Sequence, residues 1–367
     1  FLSCIFIFAY AQKAVLLRSP DGNIVVNFFN NKGKVYYDVK FKSQPIIQNS
    51  AIALRFSEDL FDHNLVIGYP KNRKGHEFYE LPAGKTRFVQ DQYNEVIFPV
   101  TQSGIGGKRI DITVRAFNDG IAFRYEFPKQ NNWSNFILKD EETSFRLADD
   151  PVVHGLFLPN YTSSHEGKYS TLPFSAMKED TLMDMPALFE FPNHIYLAIT
   201  EARLVDYAGM YLSKHGKVLR SRLSPLPNQE EIKVKAILPH VSPWRVLLIS
   251  DRVGALIESN IITDLNDNCE IKDLSWLKPG KTTFPWWNGN VVPDTLNAPG
   301  NNFVTQQYYI DFCARNGLEY HSVVEYGLHQ WYMDDGVNFQ PGPHSDVTTP
   351  VPGLDMQQVC DYAKSKG

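Results

Sequence analysis

Residues 303–326 read FVTQQYYIDFCARN, then Gly317, then LEYHSVVEY. The part before the glycine repeats apolar side chains at helical spacing, with Tyr309, Phe312 and Cys313 on one face, and predicts a helix over 303–316 stopped by Gly317. The part after it is rich in Val, Tyr and His and predicts a strand over 318–326. Working outward, 283–287 predicts an earlier strand. On the other side, 355–366 predicts a second helix, carrying Met356, Val359, Cys360 and Ala363 at i, i+3, i+4 and i+7 with Gly367 as its stop. Alternation of strand and helix implies parallel pairing, so a (β/α)8 barrel or a doubly wound sheet opens here. Barrel enzymes build their sites at the C-terminal ends of their strands. Glu325, at the end of the 318–326 strand, and the Trp286-Trp287-Asn288 run at the end of the earlier one are therefore candidates to touch a ligand.

Upstream the pattern is different. From about residue 15 to 243 short alternating segments follow one another with no helix between them. Segments 23–29 and 34–41 are joined by Asn30-Asn31-Lys32-Gly33, and segments 109–116 and 121–127 by Asn118-Asp119-Gly120. Asn and Gly at such joints supply the positive φ that tight hairpins use. Segments 195–201, 209–213 and 231–237 continue the series. Strands at this spacing predict a large antiparallel β-sandwich. After Trp244-Arg245-Val246-Leu247-Leu248-Ile249 the composition shifts. The expected organisation is multidomain: a signal-peptide remnant over 1–11, a β-sandwich over 12–273 and the beginning of a (β/α)8 barrel over 274–367. The remnant is read from the apolar run that ends in Ala9-Tyr10-Ala11, which predicts an exported protein, periplasmic or secreted.

The composition narrows the function. A hydrophobic fraction of 43% supports an ordinary globular core. Net charge is -5 and the pI is near 6.1, with no basic stripe, which excludes a nucleic-acid partner. Beyond the leader no run is long and apolar enough to predict a membrane span. Aromatic residues reach 13%, which suits both a β-rich core and a carbohydrate ligand. Paired C-x-x-C spacing is absent, so Cys313 and Cys360 read as buried thiols on helix faces and not as zinc ligands.

Asn160 and Glu166 place a neutral and an anionic oxygen in one polar loop, a pair that suits Ca2+ and equally an ordinary solvated turn. His165 beside them offers an acid–base group or a solvated imidazole. Trp286 and Trp287, as neighbours on a strand, would point to opposite sides, leaving Trp287 or Asn288 to approach a sugar. The connection over 327–352 is too long for a simple strand-to-helix turn and predicts an active-site loop, with His329, Trp331, Asp334 and Asp335 as its polar and aromatic residues.

Taken together, Lys278-Pro279-Gly280-Lys281, Pro285-Trp286-Trp287-Asn288 and the stretch from Tyr308 to Tyr320 resemble the start of the catalytic barrel of glycoside hydrolase family 97. Residues 160–167, Asn-Tyr-Thr-Ser-Ser-His-Glu-Gly, and the sandwich around them resemble that family's N-terminal domain. The resemblance implies an exo-acting α-glycosidase that releases an α-linked glucose or galactose from oligosaccharides and depends on Ca2+. It also implies that Asn160 and Glu166 belong to the loop that lends calcium ligands. Trp287, Asn288, Glu325, His329 and Trp331 are then the substrate-binding candidates, and the catalytic carboxylates are expected beyond residue 367, which would leave this fragment itself inactive. Many relatives read Asp-Glu-Gly-Trp where this chain reads Val324-Glu325-Tyr326-Gly327, which points to the retaining branch, where α-galactosidases occur. Two other classes stay open: a non-catalytic carbohydrate-binding sandwich, and a different barrel enzyme such as an epimerase or lyase joined to a sandwich.

Overall fold

The computed structural model describes residues 14–104, 106–293, 300–323, 331–335 and 342–367. The chain divides into two compact units, one ending at Cys269 and one running from Glu270 to Gly367.

The first unit is built almost wholly from antiparallel sheet. Ala14–Arg18, Ile24–Asn31, Lys34–Phe41 and Gln44–Ala51 form a four-stranded meander in chain order. An eleven-stranded sheet runs through Phe88–Gln102, Arg109–Phe117, Gly120–Phe127, Trp244–Ser250 and Tyr196–Ala202. Two smaller sheets, of four and five strands, complete the unit. Alternation in the sequence decides which residues face inward: Phe28 and Tyr37 from the meander meet Phe98 and Phe123 from the large sheet. The Phe28–Phe98 and Tyr37–Phe123 ring centroids lie 5.3 and 5.2 Å apart. Each such ring, removed from water, contributes on the order of 1.5–3 kcal/mol. The strand Trp244–Ser250 is buried on both faces. Leu247 and Ile249 join the main core, while Trp244, Val246 and Leu248 pack under Ile261 and Leu265. That is why, apart from the buried and paired Arg245, its sequence runs apolar from Trp244 to Ile249 instead of alternating.

The hairpin joints behave in two ways. At Lys32-Gly33 both residues take positive φ, 52° and 77°, and Asn31 pairs directly with Lys34, as the sequence predicts for a type I′ turn. At the second joint none of Asn118, Asp119 and Gly120 is among the residues with positive φ. The glycine is needed there for a different reason, since a Cβ on Gly120 would lie 2.4 Å from the carbonyl oxygen of Leu247 in the adjacent strand.

In the second unit the strand Thr282–Thr283 pairs in parallel with Tyr320–His321, and the helix Phe303–Asn316 connects them. Asn302 caps the helix by accepting from the Thr305 amide at 3.0 Å, and Gly317 ends it at φ 64°. The buried positions of this helix are Thr305, Gln306, Ile310 and Cys313, whereas Phe312 is 40% exposed. The inward face is thus centred on Ile310, about one residue round from the predicted Tyr309–Phe312–Cys313 face. The helix Met356–Ser365 buries Val359 against Ile310 and Leu354. Cys360 on it is exposed, contrary to the expectation of a buried thiol, because the face that meets the core runs through Met356, Val359 and Ala363 and leaves residue 360 to one side. Within the long connection, Tyr332–Met333 and Asp346–Pro350 form a short antiparallel pair.

Candidate functional site

The parallel pair carries a connected polar cluster. Thr283 and His321 stand directly opposite each other, and the Thr283 hydroxyl lies 2.7 Å from His321 Nδ1. His321 Nε2 meets Gln306 Oε1, and the Gln306 amide nitrogen donates to Asn301 Oδ1. With the amide nitrogen so committed, Gln306 Oε1 accepts from an Nε2–H, and Nδ1 is left to accept from the Thr283 hydroxyl. Burial holds the imidazole at a pKa of about 4, so it is neutral at physiological pH. Tyr309 stacks parallel to the His321 ring at 6.2 Å and 4°. Its hydroxyl donates to the Val291 carbonyl at 2.6 Å and lies 2.9 Å from the Asn288 amide nitrogen. This arrangement fixes one tautomer and one rotamer at the root of the second strand.

Beside it lies a hollow of about 550 Å³ lined by Phe284, Trp287, Asn288, Val291, Tyr309 and Phe312 among others. Trp286 and Trp287 do not lie on a strand. Pro285 lacks the amide hydrogen a ladder needs, so pairing stops at Thr283 and Pro285–Asn288 winds into a single 3-10 turn that Gly289 closes at φ 75°. The strand argument for their opposite orientation therefore does not apply. The indoles lie 5.8 Å apart, and Trp287 is 74% exposed on the rim of the hollow. An exposed indole next to an amide and a phenol suits a sugar, whose C–H face packs on the ring while its hydroxyls bond to the polar groups.

Trp331 packs partly buried against the Ile310–Leu354–Val359 cluster. Asp334 and Asp335 are tied into their own loop: Asp334 accepts from the Gly342 amide, and Asp335 from the His344 amide and ring. Glu325 and His329, with the rest of 324–330, lie outside the described residues, as do Phe1 to Ala11.

In the first unit, Asn160 Oδ1 accepts from the Thr162 amide and hydroxyl at 2.9 and 3.0 Å, which makes it the closing residue of a turn. The Glu166 side chain is exposed. Among the described residues no group of three or more His, Cys, Asp or Glu side chains is arranged to hold a metal. Ca2+ takes six to eight oxygens, so these two donors do not by themselves fit a calcium site. His165 lies in a setting the sequence did not show: Nδ1 is 2.7 Å from Asp184 Oδ2, and Nε2 is 3.5 Å from the Tyr211 hydroxyl. Tyr211 in turn meets Tyr161 edge-on at 5.3 Å. Residues 184 and 211 are brought there by pairing of distant strands, for which no local pattern exists. The cluster at His321 had a weak signal, in that Gln306 is a polar residue on the helix face that carries Ile310 and Cys313.

An antiparallel β-sandwich is followed along the chain by a parallel strand–helix–strand step, with an aromatic hollow beside that step. Comparison with known proteins supplies the family. The profile described as glycosyl-hydrolase 97 N-terminal matches residues 17–268, and that of glycoside hydrolase 97 matches residues 286–367. The chain belongs to glycoside hydrolase family 97. It is 26% identical to a retaining alpha-galactosidase of Bacteroides thetaiotaomicron over 97% of this chain and 55% of the relative. It is 25% identical to a probable retaining alpha-galactosidase of Streptomyces bingchenggensis over 91% of this chain and 48% of the relative. A family 97 enzyme from a Pseudoalteromonas species, solved in complex with acarbose, aligns with a TM-score of 0.84 at 28% identity, covering 96% of this chain and 53% of that one. A beta-arabinopyranosidase crystal structure, at 20% identity and a TM-score of 0.77, shares the fold. The chain spans about half the length of the relatives it matches.

Proposed function

We propose that this chain is the sandwich and the opening of the (β/α)8 barrel of an exo-acting, retaining α-galactosidase that works on oligosaccharides outside the cytoplasm. The observation that carries the reading is the match of both family profiles along the chain, together with two relatives named as retaining or probable retaining alpha-galactosidases. The parallel Thr282–Thr283 and Tyr320–His321 pair supports a barrel opening, because its connection through a helix is the repeating step of that fold. Trp287 and Asn288 are assigned to sugar contact on the strength of the exposed indole and the hollow beside it. Glu325 and His329 keep that assignment from the sequence.

Retention calls for two carboxyl groups about 5–5.5 Å apart, one of them an acid with a raised pKa. In the second unit Asp311, Glu319, Asp335 and Asp346 are all held below the usual carboxylate range by their hydrogen bonds. None of these four suits the acid. Because the chain spans about half the length of the relatives it matches, the reaction is assigned to the full-length protein, and Ca2+ dependence with it, following the family. From this chain Glu166 would contribute one anionic oxygen. The test is proton NMR of the first product released by the full-length enzyme from p-nitrophenyl α-galactoside. An initial α-anomer is expected, and an initial β-anomer or preferred turnover of the α-glucoside overturns the assignment.

A further inference from the structure

Tyr309 stands between the buried polar cluster and the hollow. Its ring lies parallel to that of His321, which is itself held by Thr283 and Gln306, and its hydroxyl reaches the turn that carries Asn288. Asn288 is exposed and lines the hollow together with Trp287 and Tyr309.

A phenol has one proton to give. The Tyr309 oxygen lies 2.6 Å from the Val291 carbonyl oxygen, which has none, so the proton belongs to that contact. Towards Asn288 the phenol therefore acts as an acceptor. That settles which way the carboxamide faces, since its nitrogen is 2.9 Å and its Oδ1 3.3 Å from the phenol oxygen. Nδ2 donates, and Oδ1 meets a lone pair at the longer distance. Turning the carboxamide over would set two oxygens against each other at the shorter distance with no proton between them. Among the described residues Asn288 Oδ1 has no other hydrogen-bond contact. An amide oxygen kept free of internal donors, beside an exposed indole, accepts from a hydroxyl and repels a carboxylate or phosphate group placed there.

We propose that Tyr309 is a positioning residue of this site, which holds Asn288 by its amide nitrogen and so reserves Oδ1 to accept from one free hydroxyl of the sugar. The inference rests on the assignment of Asn288 to sugar contact. It adds what that contact reads: a hydroxyl that is neither removed nor substituted.

Steady-state kinetics of the full-length protein on p-nitrophenyl α-galactoside test this with Asn288→Ala, Tyr309→Phe and the double variant, each checked for folding by its melting curve. Phe keeps the ring on His321 and leaves the carboxamide free to turn. Asn288→Ala is expected to raise KM about tenfold and Tyr309→Phe about threefold, each with a smaller effect on kcat. The double variant is expected to match Asn288→Ala alone, because a residue that acts through Asn288 then has nothing left to act on. Monodeoxy analogues of the substrate give a second reading. One of them is expected to raise the parent's KM and to cost nothing further in Asn288→Ala. If Asn288→Ala leaves KM unchanged, the sugar contact is wrong and the inference falls with it. The contact stands but the proposal is overturned by any of three other results: a Tyr309→Phe variant that matches the parent, a double variant that adds the two losses, or monodeoxy analogues that all add their loss to that of Asn288→Ala.

Discussion

The two units solve the same packing problem to different degrees. In the first, aromatic residues from separate sheets fill a continuous core, and its fully buried arginine is paired: Arg245 bonds Glu141 through Nε at 2.8 Å and Nη2 at 2.6 Å, and Glu201 through Nη1 at 2.8 Å. In the second, the buried apolar cluster among the described residues is Ile310, Leu354 and Val359, while Phe284, Trp287, Phe312 and Tyr320 remain exposed. The first unit therefore carries a large continuous core of its own, whereas the second, among its described residues, buries a much smaller one.

The largest effect expected from this contrast is on catalysis. The chain alone should show no turnover of p-nitrophenyl α-galactoside or α-glucoside above a heat-inactivated control, whereas the full-length protein is expected, on the proposed function, to turn over the galactoside. Activity in the isolated chain would show that its second unit is more complete chemically than its carboxylates imply.

The next effect separates the ion pairs of the two units. Arg245→Met leaves Glu141 buried without its cation, and loss of one partner of such a pair costs about 3–5 kcal/mol. The double variant with Glu141→Gln should recover part of that loss. In the second unit Lys366 pairs with Asp311 at 2.8 Å, but both side chains are partly exposed. Lys366→Ala should then cost only about 0–1 kcal/mol. Urea unfolding of the three variants checks both halves, and equal losses for Arg245→Met and Lys366→Ala would erase the distinction.

The units should also respond to pH with opposite sign. In the first, Asp91 is 5% exposed and one of its oxygens has no hydrogen-bond partner. Burial, with the charge of Asp264 nearby, pushes it up to about 7, and burial pushes Asp264 up to about 6. Raised folded-state values mean that the stability these groups contribute is present below about pH 4 and lost as pH rises through 6 to 7. In the second, His321 is depressed to about 4. Its contribution is present above pH 6.5 and lost as pH falls towards 4. Asp91→Asn should remove a fall in melting temperature as pH rises from about 4 to 7, and His321→Gln a fall as pH drops from about 6.5 to 4. If either variant leaves the profile unchanged, the corresponding group does not control it.

What the sequence made legible follows the range of the forces involved. The turn at Lys32-Gly33, the helix Phe303–Asn316 and its Gly317 stop depend on neighbours a few residues apart, and the pattern displays them. The turn after Pro285 was readable in principle, since a proline ends a ladder locally, yet the paired tryptophans read as strand because aromatic residues favour strands. The exposure of Cys360 turned on a rotation of less than one residue. The eleven-stranded sheet order joins strands far apart in the chain, and the Arg245–Glu141–Glu201 network and the Asp184–His165–Tyr211 chain join residues 19 to 104 positions apart, so no local periodicity encodes them. For the site, Trp287 and Asn288 were visible as residue types, whereas the His321 cluster needed the strand register to be seen.

The smallest effect concerns calcium. If Glu166 lends an oxygen to Ca2+ in the full-length enzyme, Glu166→Gln removes one negative charge from a hard-cation site, and ligand charge tunes affinity in such sites. Because Glu166 is exposed and its backbone amide is already fixed by the Ser164 hydroxyl at 3.0 Å, the substitution should leave the sandwich's stability unchanged within about half a kcal/mol. The calcium midpoint, by contrast, should move upward. Asn160→Ala should do the reverse, weakening the turn that its carboxamide closes over Thr162 and moving the calcium midpoint less. Calorimetric titration of the full-length protein with calcium, alongside melting curves of the metal-free form, separates the two. A Gln variant that matches the parent across the titration would remove Glu166 from the metal's neighbours and leave the loop as a solvated turn on the closed unit.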